Sequence, residues 1–290
     1  MRLLCVGEAF TDLIFMGIDR MPLPGEELRT DRFVATVGGG AVITAVAASR
    51  LGLRAAVMSA LGPDAVARLR AERVSVTNVI RPGERAAVSA AISLPHDRSF
   101  VTFDGVNRHL ESRLLKRARD MHAPLVHFAL APRACPPWTA LVRRLRAAGV
   151  VTSWDFGWHE HLAARRGFRA LADSVDYLFL NEQEALLYAR SRSLNRAIAV
   201  WRRRPGATIV KLGAAGSRWL GPAIDLHVPV KRRKPRDATG AGDAFNGAFL
   251  AAIARGQTAA DCLRLANRVG AAATQWAGGL PVAPGRSQGG

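Results

Sequence analysis

The chain has 290 residues, 49% of them hydrophobic, and a formal net charge of +18. That length suits one large α/β domain or two ordinary ones, and the apolar fraction supplies a sizeable core, which excludes a disordered chain. No apolar run approaches the ~18–20 residues of a membrane span, and three scattered cysteines (Cys5, Cys135 and Cys262) give neither a zinc spacing nor a disulfide framework.

The opening "MRLLCVGEAF" carries one arginine and a short apolar run that breaks at Gly7-Glu8. It predicts a strand over 2–7 and lacks the long apolar region of a signal peptide. With the unpaired cysteines, this points to the cytoplasm. Short strands follow through 37, then a helix over 41–51, a strand over 55–60 and a short helix over 64–72. Alternating apolar positions over 86–94 and 100–103, joined by "PHDR", predict a hairpin with Asp97 and Arg98 at its tip.

From there the rhythm becomes regular. Strands over 125–129, 150–155, 177–180 and 208–212 alternate with helices over 137–148, 167–172 and 182–189. Helices over 241–254 and 259–276 close the series. Such alternation predicts a mostly parallel sheet covered by helices on both faces. The segments 10–37 and 86–104 break that rhythm and are expected to form a small β lid. Residues 1–282 read as a single domain, and "APGRSQGG" at 283–290 as a flexible tail.

The positive charge is spread through arginines set in Ala/Leu-rich helical patterns, and "KRRKPR" at 231–236 is the dense run. This distribution does not favour a nucleic-acid partner. A positive field does suit an anionic substrate such as ATP.

The stretch "RDATGAGDAFNGAFLAAIARG" at 236–256 concentrates the chemistry. Glycines 240 and 242 leave backbone N–H groups uncovered before a long apolar helix, a combination that forms an anion nest. An ordinary strand-to-helix turn accounts for one glycine and an acidic first-turn residue. It accounts less well for Asp237, Thr239 and Asp243 crowding the same few positions. An acid beside an anion nest makes sense if it takes the proton of an attacking hydroxyl while the amides hold charge on a phosphoryl group.

"DATGAGDAFNGAFLAAI" closely resembles the C-terminal signature of the ribokinase-like sugar kinases, the phosphofructokinase-B type. The resemblance covers nearly the whole chain. "GEAFTDLIF" at 7–15 looks like the first strand with a substrate-binding acid, Asp12. "GGGAVITAVAASRLG" at 38–52 is similar to the N-terminal Gly-Gly signature, with Gly38 and Gly39 at the acceptor. "DYLFLNEQEALLY" at 176–188 matches an Asn-x-x-Glu segment, Asn181 and Glu184. "VKLGAAGS" at 210–217 looks like the turn lining the nucleotide site, and "LANRVGAAAT" at 265–274 like the helix beside the adenine.

The resemblance implies a three-layer ribokinase-like sandwich with a β lid, and an ATP-dependent kinase of a sugar or sugar-like alcohol. Asp243 would be the general base and would touch the acceptor. The amides of Ala241, Gly242 and Asp243, presented by the turn at Gly240, would form the anion hole. Asn181 and Glu184 would organise Mg²⁺ through water, and Lys211, Gly213, Gly216, Thr239 and Asn267 would surround the nucleotide. In this family lid edges often pair two subunits, which suggests a homodimer through the lid, and dependence on a monovalent cation such as K⁺ is common, though no residue here decides it.

Three positions depart from the pattern. Ile43 stands where many members carry a sugar-binding asparagine, so either the acceptor is less polar on that side or Thr44 substitutes. Lys211 stands where threonine is common, and either contacts phosphate or points outward. The segment after the second sheet strand is about one helical turn short. In "SWDFGWHEHL" at 153–162, Asp155 is expected near the acceptor with aromatics walling the site, while His159-Glu160-His161 makes a poor metal site. Two other readings keep the fold: a nucleoside or fructosamine-type kinase, and a non-catalytic regulator that binds a polyanion through "KRRKPR". The intact Asp243, Asn181 and Glu184 count against the second.

Overall fold

The computed structural model describes residues 2–94, 98–231, 235, 237–275 and 278–280. In chain order the strands are β1 (Arg2–Gly7), β2 (Phe10–Met16), β3 (Arg32–Gly38), β4 (Arg54–Ser59), β5 (Ser75–Asn78), β6 (Val88–Ser93), β7 (Arg98–Phe103), β8 (Leu125–Ala129), β9 (Val151–Asp155), β10 (Tyr177–Asn181), β11 (Ala207–Lys211), β12 (Ser217–Leu220) and β13 (Asp225–Val228). The helices are α1 (Gly40–Arg50), α2 (Pro63–Ala71), α3 (Leu110–Lys116), α4 (Cys135–Ala147), α5 (Phe168–Ser174), α6 (Glu182–Tyr188), α7 (Leu194–Arg202), α8 (Ala241–Ile253) and α9 (Ala259–Ala273).

Runs such as "LLCV" and "LVHFA" are apolar on both faces, and such strands are stable only when covered on both sides. They lie in the middle of a nine-stranded sheet of order β13-β12-β11-β10-β9-β8-β1-β4-β5. Its neighbours pair in parallel from β11 through to β5, while β12 is antiparallel to both β11 and β13. One hydrophobic cluster packs α1, α8 and α9 on one face, and a second packs α3, α4, α5 and α7 on the other. The result is the expected α/β sandwich. The buried small residues Ala41, Ala45, Ala48, Ala248 and Ala251 let α1 and α8 approach closely.

The strands expected to form a lid make a separate four-stranded sheet of order β3-β2-β6-β7. Pairing is antiparallel for β2–β3 and β6–β7 and parallel for β2–β6. Four features go beyond what the sequence delineates: α3, α7, β5 and β12, all short, and two of them arginine-bearing helices whose apolar stripe is narrow. Asp97, at the hairpin tip, residue 276 and the 283–290 tail lie outside the described residues, as do most of the 231–236 basic positions. Cys5, Cys135 and Cys262 are buried and free. No helix among the described residues is long and apolar enough to cross a membrane.

Parallel strands deliver their carboxyl ends to one edge of the sheet, and that edge is where loops gather chemistry in open α/β folds. Glu8 follows β1, 130–133 follow β8, Asp155 ends β9, Asn181 ends β10 and Lys211 ends β11. The N-terminus of α8 lies over the same edge.

Candidate active site

Gly240 adopts φ 71°, a left-handed conformation that reverses the chain into α8. Ala241 N–H is taken by Ala238 O at 3.2 Å. The next two amides, Gly242 and Asp243, have no acceptor among the described residues. The expected anion hole is therefore two amides at a helix N-terminus, with Ala241 engaged in the turn that presents them.

Asp243 sits in the first turn of α8. A β-carbon placed on Gly40 would come 3.0 Å from Asp243 Oδ1, so the starts of α1 and α8 face each other directly. Thr44 Oγ1 donates to Asp243 O at 3.2 Å, which ties the two helices together. Thr44 is thus turned to the backbone of the base. Ile43, expected beside the acceptor, is buried with its Cδ1 against Gly240 and Gly279, and so supports the anion-hole turn from beneath.

Lys211 points inward. Its Nζ lies 2.7 Å from Asp155 Oδ2 and 3.5 Å from Asn246 Oδ1. Asn246 Nδ2 donates to the same Asp155 oxygen at 2.7 Å, and Gly157 N–H donates to Asp155 Oδ1 at 2.9 Å. A β-carbon on Gly242 would meet Lys211 Nζ at 3.1 Å, so this ammonium flanks the anion hole.

The electrostatics follow from three carboxylates and one ammonium in a confined space. Burial, then the charge of Asp155, pushes the Asp243 carboxyl up to about 7, against the pull of Lys211. Burial and Asp155 also raise Glu184 to about 7. Asp155 is itself buried, yet Lys211 and the bonds from Asn246 and Gly157 hold it below the ordinary carboxylate range. Burial opposes the charge on Lys211, but Asp155, Glu184 and Asp243 together keep its pKa above the usual value.

Asn181 and Glu184 form a capping box at the start of α6: Glu184 N–H donates to Asn181 Oδ1 and Asn181 N–H to Glu184 Oε2, each at 2.8 Å. Each keeps polar capacity beyond these bonds. Among the described residues no three His, Cys, Asp or Glu side chains gather as a metal cage.

Two clefts meet at this point. The first, about 270 Å³ and largely apolar, is lined by Lys211, Gly213, Gly216, Val230, Ala241, Gly242 and Asn267. Asn267 Nδ2 donates to Val228 O at 2.9 Å, so it also fastens β13 to the cleft wall. Thr239 stands in the turn, its N–H bonded to Asp237 Oδ1 at 2.7 Å. The second cleft, about 470 Å³, is lined by Glu8, Gly40, Arg133, Asp155, Trp158, Arg165 and Asp243 among others. Gly242 belongs to one cleft and its neighbour Asp243 to the other.

Asp12, on β2 of the small sheet, carries its carboxylate across Gly38, where any β-carbon would overlap an Asp12 oxygen. Burial raises it to about 6. Gly39 is the N-cap of α1, with φ 100°. On β6, Ser89 is buried and bonded to Thr102 at 3.0 Å, while Phe103 is exposed.

The aromatic loop divides. Trp154 is a core residue stacked on Phe128, and Trp158 and Phe156 line the second cleft. Glu8, Asn246, Arg133 and Arg165 are added by the structure. Asn246 carries a readable signal, since a polar side chain inside an apolar helical run needs a partner. Glu8 directly follows the broken apolar run of β1. The two arginines carry no such signal in a chain with 41 lysines and arginines.

The model of the pfkB family carbohydrate kinases matches residues 1–284. Ribokinase of Bacillus subtilis (strain 168) is 27% identical over 277 residues, covering 92% of this chain and 91% of that protein. Among solved structures, adenosine kinase from Sinorhizobium meliloti superposes with TM-score 0.79 at 23% identity, over 97% of this chain and 95% of that one. Arabidopsis thaliana ribokinase complexed with ribose and ATP superposes with TM-score 0.74 at 23% identity, over 96% and 95%.

Proposed function

Since this chain belongs to the pfkB family carbohydrate kinases, we propose that it moves the γ-phosphoryl group of ATP to a hydroxyl of a sugar-like acceptor, with Asp243 as general base. The observation that carries this reading is the position of Asp243 between the two clefts, beside two unpartnered amides, with its carboxyl raised to about 7. A base with that pKa is ionised for a useful fraction of the time near neutrality and still binds a proton well.

The acceptor occupies the second cleft, with Asp12 over Gly38, and with Gly39 and Asp155, fixing its hydroxyls. The nucleotide lies in the apolar cleft, its phosphates directed to Gly242. Asp243 takes the proton of the attacking hydroxyl. The N–H groups of Gly242 and Asp243 and the start of α8 hold the charge that develops on the transferred group. Lys211, beside Gly242, adds a positive charge there, which favours the phosphate-contact reading of this residue.

Three carboxylates against one ammonium leave room for a further cation, and a set too small for a protein-only cage fits Mg²⁺ held through water by Glu184 and Asn181. When bound, Mg²⁺ neutralises the nucleotide phosphates. We assign the protein to the cytoplasm, in keeping with its three free cysteines. We also propose that residues 1–282 act as one domain and that the small sheet pairs two chains. The second idea rests on the exposed Phe33, Phe100, Val101 and Phe103 of edge strands β3 and β7.

The deciding experiment measures ADP release from ATP and Mg²⁺ over a panel of sugars, sugar acids, sugar phosphates and nucleosides. The wild type turns over at least one acceptor, and Asp243→Asn loses about 10²–10⁴-fold in kcat while still binding ATP. Near wild-type turnover by that variant would remove Asp243 from the role.

A further inference from the structure

Two arginines line the second cleft beside Glu8, Asp155 and Asp243, and neither makes an ion pair among the described residues. Other partly buried arginines of this chain are matched to a carboxylate: Arg113 to Glu84, Arg68 to Glu72, Arg218 to Asp225. Arg165 is not. Its guanidinium donates to Pro132 O and to His159 Nε2, and no carboxylate lies within ion-pair distance among the described residues. An arginine can only donate, so Nε2 accepts and the imidazole proton belongs on Nδ1. Burial, then the charge of Arg165, holds the His159 pKa down, and an imidazole in either protonation state has no negative charge to offset the guanidinium. Nδ1 is buried without an acceptor among the described residues, so His159 is devoted to aiming Arg165.

The loop carrying these groups is braced. Tyr188 Oη accepts His159 N–H at 3.1 Å and donates to Gly157 O. Arg133 lies on the facing β8 loop. Glu111 anchors that loop by accepting from the N–H of Arg133 at 2.8 Å, the N–H of Ala134 at 3.3 Å and Trp138 Nε1 at 2.7 Å. The Arg133 guanidinium has no carboxylate within ion-pair distance among the described residues, and its charge reaches the cleft, where it lowers the Glu8 pKa. Burial, then the charge of Asp104, raises the Glu8 carboxyl against the pull of Arg133, and Glu8 makes no ion pair with either arginine among the described residues. Two guanidinium groups without an ion pair among the described residues, the half-buried Arg165 held rigidly and the exposed Arg133, therefore share a cleft with Asp243.

We propose that the acceptor is an anionic sugar, carrying a carboxylate or phosphate that Arg165 and Arg133 bind while its hydroxyl faces Asp243. This rests on the kinase reading of the site. The guanidinium fork matches either anion bidentately, and a neutral sugar leaves the half-buried Arg165 charge partly desolvated without an anionic partner.

The test compares matched pairs: a sugar acid with the corresponding alditol or lactone, and a sugar phosphate with the free sugar. Binding is read by calorimetry on Asp243→Asn, where turnover plays no part, and kcat/KM by ADP release on the wild type. We expect the charged member of one pair to bind about 10–100-fold more tightly than its neutral counterpart, and the pair that shows this distinguishes carboxylate from phosphate. Arg165→Gln and, separately, Arg133→Gln should shrink that ratio, mainly through KM. Arg165→Lys should recover part of it. The second site guards against the chance that Arg165→Gln loosens its loop. Equal binding of charged and neutral members, or a ratio that both variants leave intact, overturns the proposal. Loss of turnover on every acceptor with the binding preference intact would count against the kinase reading alone.

Discussion

Lys211 Nζ and Asp155 Oδ2 meet at 2.7 Å across the end of β10, the strand that separates their own. Both act on Asp243, and in opposite senses. Since the base works ionised, kcat/KM should rise with pH and level off above about 7. Lys211→Met removes an attraction and should move this limb to higher pH. Asp155→Asn removes a like charge and should move it lower. Profiles of kcat/KM against pH that shift the same way in both variants would contradict the arrangement.

The same charge has a thermodynamic consequence. The folded carboxyl of Asp243 titrates near 7, whereas an unfolded aspartate titrates near 4. A folded pKa above the unfolded one gives stability that is fully present below pH ~4 and lost as pH rises to about 7. Asp243→Asn removes the titration. Its Tm should exceed that of the wild type at pH 8, with the gap narrowing as pH falls toward 4. Thermal scans across that range check the sign.

Gly38 is small because Asp12 lies over it. The Gly38→Ala methyl would displace the end of a flexible side chain, so the fold should tolerate it and Tm should move little. The displaced carboxylate should raise the KM of the acceptor about tenfold, the worth of one hydrogen bond to a charged group. The KM of ATP should stay within twofold. Equal losses for both substrates would argue that Asp12 does something other than bind the acceptor.

Val101 is 72% exposed and Phe100 58% exposed, on the outermost strand of the small sheet. If this sheet joins two chains, Val101→Lys or Phe100→Asp should halve the mass found by sedimentation equilibrium. A wild type that sediments as a single chain would remove the dimer outright.

Much of this architecture is readable from the residues. The alternation from 125 onward marks the parallel strands because their apolar runs permit little else, and Gly240-Ala241-Gly242-Asp243 marks the anion hole. Asn181 and Glu184 are legible twice, as a capping box and as the proposed Mg²⁺ pair, and local spacing alone does not separate the two. Lys211 is the clearest example of what stays hidden. Its direction is decided by Asp155, 56 positions away, and by Asn246, 35 positions away. Ile43 and Thr44 turn to α8 because α1 packs against it, a contact nearly 200 positions distant in sequence. Arg133 and Arg165 become distinctive only once their guanidinium groups prove to make no ion pair among the described residues.

Asn246 lies one turn beyond Asp243 on α8 and grips Asp155 at the end of β9. Thr44 grips the Asp243 carbonyl from α1. The base is therefore riveted to the large sheet from two directions and cannot advance toward its target. On the proposed function, motion that completes the site would belong to the four-stranded sheet bearing Asp12, which would bring the acceptor toward Asp243. The small sheet joins the rest of the chain at four places, 7–10, 38–40, 79–87 and 103–105, and turnover should respond to the stiffness of these connections more than to any change within α8.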